Sequence, residues 1–148
     1  MARIRLHEQP SYEFTYHFAV QARDLSSRRH LGSDAIVQLM HEALVNLFQT
    51  IGLTEFDLGD GNTGVIAEDT VINFMSESFL SEVLTIETHV DEVTSSGFRV
   101  FHRMDRSGKI IALAEMGLIG FDYANRTPAP IPGAFNTTLL RYTSRVHT

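Results

Sequence analysis

Apolar side chains recur at helical spacing between about residues 34 and 51. They form a stripe made of Ile36, Met40, Ala43, Leu47 and Ile51. A polar stripe on the other side contains Gln38, Glu42, Asn46 and Gln49. Such two-sided patterning is typical of a helix that buries one face. We therefore predict one long amphipathic helix, with Ser33 as its N-terminal cap and Gly52 in the left-handed position that ends it.

Five other segments have the composition and alternation of β-strands. They are residues 12–20, 64–75, 82–93, 97–105 and 109–122. Short turns join the last strands, so neighbouring strands are expected to pair antiparallel. The fifth segment is apolar on both of its faces, which indicates a central strand that is covered on both sides. One strand, one helix and four further strands predict an α+β fold.

The chain shows no internal repeat and no linker that would divide it. We expect one domain over residues 1–148, with an irregular tail from about residue 124, where three of the four prolines lie. A single helix can cover only one face of the predicted sheet. The other face would expose a large apolar patch, so self-association is expected, most simply as a homodimer and alternatively as a homotetramer.

Composition narrows the classes of function. The chain has no cysteine, which excludes disulfides, thiolate metal sites and a cysteine nucleophile. Its formal net charge of -6 argues against general nucleic-acid binding. No apolar run is long enough to span a bilayer, and the first ten residues lack the apolar region of a signal peptide. We therefore expect a cytoplasmic protein that binds neither nucleic acid nor membrane.

The stretch from Asp24 to Ala43 carries a family resemblance. His30, Leu31, Gly32 and Ser33 stand in the place of an H-V-N-N segment, and Glu42 follows His30 by twelve residues. The pattern resembles the hot-dog fold, and within it the 4-hydroxybenzoyl-CoA thioesterase-like group. Residues 71–75, 114–122 and 128–132 resemble later strands and the common ending of that group. The resemblance implies a five-stranded antiparallel sheet wrapped around one long helix.

The sequence departs from that group at several positions. Five residues separate Asp24 from His30, where about three are usual, and Gly32 replaces the usual Asn. Glu77 stands where Pro is common, and Ser81-Glu82 stands where Gly-Asp is common.

The resemblance implies hydrolysis of an acyl-CoA thioester to a free acid and coenzyme A. In the resembled enzymes a carboxylate attacks the carbonyl or activates water, so Asp24 in the loop and Glu42 on the helix are the candidate acids. His30 is expected either to donate to the carbonyl or position water, or simply to pack at the helix start. The thioester carbonyl would be held at the helix N-terminus by Leu31, Gly32 and Ser33, where backbone N–H groups and the helix dipole favour negative charge. Substrate contacts are expected from Asn73, Arg28 and Arg29.

The same residues also fit two other hypotheses of function. Asp24 and His30 also resemble the acid and histidine of a hydratase or dehydratase on this fold, and a non-catalytic protein that binds acyl thioesters would need no acid at all. No metal site is expected, because the sequence has no HExxH or comparable spacing of ligands. No redox cofactor is expected either, and coenzyme A enters only as part of the substrate. Asn73 either faces the acyl pocket or satisfies backbone groups. His102 is expected in the core or at an interface, and His89 on the surface.

Overall fold

The computed structural model describes residues 3–143. One long helix packs against the inner face of an antiparallel sheet. The strands are β1 (Phe14–Ala19), β2 (Thr63–Phe74), β3 (Val83–Asp91), β4 (Gly97–Arg106), β5 (Lys109–Asp122) and β6 (Thr127–Pro128). The helices are α1 (Ser33–Thr50) and α2 (Gly133–Thr143). The predicted α+β hot-dog architecture is confirmed.

The sheet order is β1-β3-β4-β5-β2, and every neighbouring pair is antiparallel. Strand β5 lies between β4 and β2, which confirms the prediction of a central strand from its continuous apolar run. The two-residue strand β6 pairs with the end of β5 and was not predicted. Strand β2 forms one edge of the sheet, next to the connection that leads into β3.

Helix α1 buries the predicted apolar stripe against the sheet. Its buried side chains are Ile36, Leu39, Met40, Ala43, Leu44, Leu47 and Phe48. The first half of the helix packs over Leu84, Ile86 and Ala112, and the second half over Val100 and Leu118. No helix within residues 3–143 is long and apolar enough to cross a membrane.

The two ends of α1 differ in how well the sequence predicted them. Gly52 has φ +78° and ends the helix as expected, with its N–H donating to the Gln49 carbonyl at 3.1 Å. The N-terminal cap is Gly32 rather than Ser33, so that prediction is wrong by one residue. The backbone of Gly32 is extended and its carbonyl accepts the first helical bond, which leaves Ser33 inside the first turn.

The predicted irregular tail is wrong over its second half, because residues 133–143 form helix α2. Phe135 and Leu139 stand four residues apart and are both buried in the cluster under the second half of α1. Their packing against the sheet outweighs the weak helix propensity of the Asn and Thr residues between them. The helix therefore depends on tertiary contact.

The N-terminal segment, residues 4–13, crosses the outer face of the sheet. The Leu6 N–H donates to Asn73 Oδ1 on β2 at 2.7 Å, and Arg103 on β4 pairs with Glu8 at 2.7 Å. The segment thus covers part of the face that the sequence analysis assigned to a second copy of the chain.

His89 lies under this segment, so its predicted surface position is wrong. Only 7% of His89 is exposed, and its Nδ1 lies 2.8 Å from Glu13 Oε2. The hydrogen bond to Glu13 outweighs the effect of burial and raises the pKa of His89 above its usual value. Alternation along β3 placed the residue on the outer face correctly, but could not reveal that the N-terminal segment covers it.

Candidate functional site

The loop that leads into α1 is folded back on itself. A 3₁₀ turn spans Ala22–Asp24, and the Ser26 N–H donates to the His30 carbonyl at 2.8 Å. The Gly32 N–H donates to the Asp24 carbonyl at 3.0 Å, which closes the loop just before the helix. A side chain at Gly32 would meet Asp34 Oδ1 at 2.7 Å. The glycine therefore allows the close approach that the loop requires.

The connection from β2 to β3 forms a second wall beside this loop. Met75 N–H and Ser76 Oγ donate to the carbonyls of Ile111 and Ile110, at 2.9 and 2.7 Å. The Leu31 N–H donates to the Ser78 carbonyl at 2.7 Å, which ties the wall to the start of α1.

Glu82 holds the far end of the same wall. Its Oε1 accepts from the Phe79 N–H at 2.6 Å and from Ser78 Oγ at 2.9 Å, and Arg106 approaches at 2.7 Å. These donors, the Phe79 N–H above all, hold the pKa of Glu82 below its usual value. Ser81 adopts φ +69° in this turn, at the position where the resembled group commonly has Gly. Glu82 thus organises the wall although the Gly-Asp pair is absent.

A cavity of about 480 Å³ lies between the loop, the wall and the start of α1. We call it the α1 cavity. Its polar lining consists of Ser26, Ser27, Arg28, His30, Ser33, Ser76 and Glu77. Its apolar lining, Gly32 aside, consists of Leu31, Ile36, Phe74 and Met75. Apolar walls with a few converging polar groups are typical of small-molecule sites.

The three predicted carbonyl-binding residues contribute unequally to the α1 cavity. The N–H groups of Leu31 and Gly32 already donate to carbonyls of the chain. The helical ladder starts with the Ile36 N–H donating to the Gly32 carbonyl at 3.0 Å. Ser33 therefore carries an N–H that precedes the ladder and belongs to the positive end of the helix. It is the group best suited to hold a developing oxyanion.

His30 has a defined orientation in the cavity. Its Nδ1 lies 3.0 Å from the Leu31 carbonyl oxygen. A carbonyl only accepts, so Nδ1 carries the proton, and in the neutral ring Nε2 is left as an acceptor. His30 can thus accept a hydrogen bond from water at Nε2.

Asp24 and Glu42 line a different cavity, of about 290 Å³, along the polar stripe of α1. The Asp24 carboxylate accepts from the Gln21 N–H at 2.8 Å and caps the 3₁₀ turn. Glu42 accepts from the Tyr16 hydroxyl at 3.0 Å. Burial, together with this bond to Glu42, raises the pKa of Tyr16 above its usual value. The structure does not bring either acid together with His30, and their catalytic roles stay predictions.

The predicted substrate-binding residues also lie in different places. Asn73 satisfies backbone groups: its amide binds the Leu6 N–H at 2.7 Å and the Ile4 carbonyl at 3.0 Å, as the second of its two readings predicted. Arg28 lines the α1 cavity. Arg29 is exposed and adopts φ +63° in the same loop, but does not line that cavity.

No functional role was predicted for the residues that the β2–β3 connection brings to the cavity. Ser76 and Glu77 approach the start of α1 from more than forty positions further along the chain. The one available signal was Glu77 itself, a charged residue at the position where the resembled group commonly has Pro.

The family of the chain follows from its similarity to known families. The sequence profile of the thioesterase-like superfamily matches residues 20–139, which include both walls of the α1 cavity. The chain belongs to the thioesterase-like superfamily. A search of curated proteins found no match.

Solved structures show the same fold as this thioesterase-like chain. A 1,4-dihydroxy-2-naphthoyl-CoA thioesterase from Synechocystis is 17% identical, with a TM-score of 0.76, covering 85% of this chain and 94% of its own. A Staphylococcus aureus protein solved in complex with CoA is 15% identical, with a TM-score of 0.80 and coverages of 88% and 84%. A gentisyl-coenzyme A thioesterase is 19% identical, with a TM-score of 0.74 and coverages of 84% and 98%. All three likenesses concern the fold.

Proposed function

We propose that the chain hydrolyses an acyl-CoA thioester to a free acid and coenzyme A in the α1 cavity. The observation that carries the proposal is the meeting of three groups at one place. These are Ser33 at the helix N-terminus, His30 with its acceptor Nε2, and the apolar wall around Met75, which all line this cavity. Membership of the thioesterase-like superfamily supports the same reaction.

Each group has a chemical task in thioester hydrolysis. The Ser33 N–H donates to the carbonyl oxygen as it becomes an oxyanion, at the positive end of the helix dipole. His30 Nε2 accepts a hydrogen bond from water and holds its oxygen towards the carbonyl carbon. Ile36, Phe74 and Met75 provide apolar surface for the acyl group.

Coenzyme A would approach from the loop side. Arg28 lines the cavity and Arg29 is exposed beside it, and guanidinium groups pair well with phosphate oxygens. The similar Staphylococcus aureus protein was solved in complex with CoA, which agrees with a CoA thioester as the ligand here. The acid product and the free thiol then leave by the same open face.

The working unit in this proposal is a homodimer. Side chains beside the cavity are between 47% and 64% exposed, namely Phe74, Met75, Phe79, Leu80 and Val83. They lie between the last residue of the edge strand β2 and the first residue of β3, and the free backbone groups of β2 offer an antiparallel partner a place to pair. A second copy there would cover these apolar residues and leave the loop side of the cavity open to coenzyme A. Light scattering at micromolar concentration should give the mass of two chains, and a monomer mass would contradict it.

The activity is tested with a panel of short, long and aromatic acyl-CoAs. We expect release of free coenzyme A, measured with a thiol reagent, from at least one class of acyl chain. Crotonyl-CoA distinguishes the hydratase alternative, because hydration removes the enoyl absorbance without releasing thiol. Tight binding of acyl-CoA with no turnover of any substrate would contradict hydrolysis and favour a binding protein.

A further inference from the structure

The proposed hydrolysis needs a proton acceptor beside the attacking water, and the two predicted acids do not line the cavity where the other groups meet. Among the described residues, Glu77 is the one carboxylate that lines the α1 cavity. We propose that Glu77 is the catalytic carboxylate of this chain. The inference rests on the proposed function and names the residue that removes the proton in it.

Hydrogen bonds on both sides hold Glu77 in place. Before it, Ser76 Oγ donates to the Ile110 carbonyl at 2.7 Å. After it, the Ser78 carbonyl accepts from the Leu31 N–H at 2.7 Å, one residue before the helix cap. Ser78 itself is fully buried. These bonds fix the backbone of Glu77 next to the start of α1. A carboxylate that positions a water molecule needs such a rigid support.

Glu77 is an exposed residue that lines the cavity, and its carboxylate makes no hydrogen bond or ion pair with any residue of the described chain. The other two acids differ, since Asp24 caps the 3₁₀ turn and Glu42 accepts from Tyr16. An unengaged carboxylate can accept a proton from water without first giving up a structural bond. The positive end of the α1 dipole also favours a negative charge at this place.

The proposed step balances with water as the only co-reactant. The water donates one hydrogen bond to His30 Nε2 and the other to the Glu77 carboxylate. Its oxygen forms a bond to the carbonyl carbon while its proton passes to Glu77, and the oxyanion is held by the Ser33 N–H. The tetrahedral intermediate then collapses with cleavage of the C–S bond. Glu77 returns the proton to the leaving thiolate, which yields the acid and free coenzyme A.

The test compares turnover and binding in Glu77→Gln with the wild type, using the best substrate of the acyl-CoA panel. We expect kcat to fall about 100-fold or more, because general-base catalysis contributes at least that much. The Kd of a non-hydrolysable thioether analogue should change less than threefold. Glu92→Gln, an exposed carboxylate in the turn after β3 that lines neither cavity and is not part of the edge strand β2, is the matched control and should retain the wild-type kcat.

A second variant distinguishes chemistry from structure. In Glu77→Ala, added formate should restore part of the lost turnover, which a merely structural defect would not allow. A loss below tenfold in Glu77→Gln, or a large loss confined to Asp24→Asn or Glu42→Gln, would overturn Glu77 while leaving the proposed hydrolysis intact. If the wild type releases no coenzyme A from any acyl-CoA, the proposed function falls and this inference falls with it.

Discussion

Replacing Phe135 by alanine should lower the free energy of unfolding by about 3–5 kcal/mol, the usual cost of removing a buried aromatic side chain. Phe135 is fully buried, and its ring stacks on Phe98 of β4 with centroids 4.7 Å apart. It is one of two side chains by which α2 enters the core, and the helix has little propensity to persist without it. The substitution should therefore release α2 as well as leave a cavity.

Leu140→Ala is the matched control for Phe135→Ala. Leu140 lies on the same helix but is 60% exposed, so its loss should change the free energy of unfolding by no more than about 0.5 kcal/mol. Urea denaturation at equal protein concentrations measures both variants, so that any dependence of unfolding on concentration is the same for both. Equal midpoints for the two variants would show that α2 does not contribute to the core.

The second large effect concerns pH. His102 is 1% exposed on the inner face of β4, and burial lowers its pKa to about 3. In the unfolded chain the pKa of a histidine is about 6.5. Between these two pKa values the unfolded chain binds a proton at His102 and the folded chain does not. Above about pH 6.5 His102 does not change the free energy of unfolding, and below it each pH unit should lower that free energy by about 1.4 kcal/mol through His102 until pH approaches 3.

The contribution of His102 can be isolated by a double substitution. Its Nδ1 lies 2.8 Å from Thr88 Oγ1, so changing His102 alone would leave that hydroxyl without a partner. His102→Leu combined with Thr88→Val removes both polar groups. The difference in unfolding free energy between wild type and double variant should be constant from pH 8 to 7 and shift against the wild type below pH 6.5. A constant difference down to pH 4 would mean that His102 is not held neutral.

His89 acts in the opposite direction, which is why the double variant is needed. Its pKa is raised by the hydrogen bond to Glu13, so its contribution to stability is present at low pH and is lost as pH rises through the raised value. The dependence of wild-type stability on pH contains the contributions of both histidines. Subtracting the curve of the double variant leaves the part that belongs to His102.

The parts of the fold that the sequence predicted are those whose signals are local. Helix α1 follows from a stripe of apolar residues at a spacing of three and four, and the left-handed Gly52 from the end of that stripe. The central place of β5 follows from a run that is apolar on both faces. Helix α2 could not be predicted because two buried residues, Phe135 and Leu139, carry it through tertiary contacts alone.

The candidate site was predicted in part, because its halves come from distant segments. The loop half was predicted from the family resemblance of residues 30–33 and from the helix start, which lie within a few residues of each other. The direction of the Asp24 side chain depends on the 3₁₀ turn that it caps, and nothing in the residue pattern separates that cap from a catalytic acid. Glu77 reaches the cavity only through the antiparallel pairing of β2 with β5.

The most direct test of hydrolysis in the α1 cavity is the kcat of His30→Ala at saturating acyl-CoA. The account predicts a fall of about 100-fold, because the water loses the acceptor that orients it, with unchanged binding of a thioether analogue. His17→Ala, a histidine on the outer face of β1 that contacts Thr85, should retain the wild-type rate. Wild-type kcat in His30→Ala would contradict the placement of the reaction in this cavity.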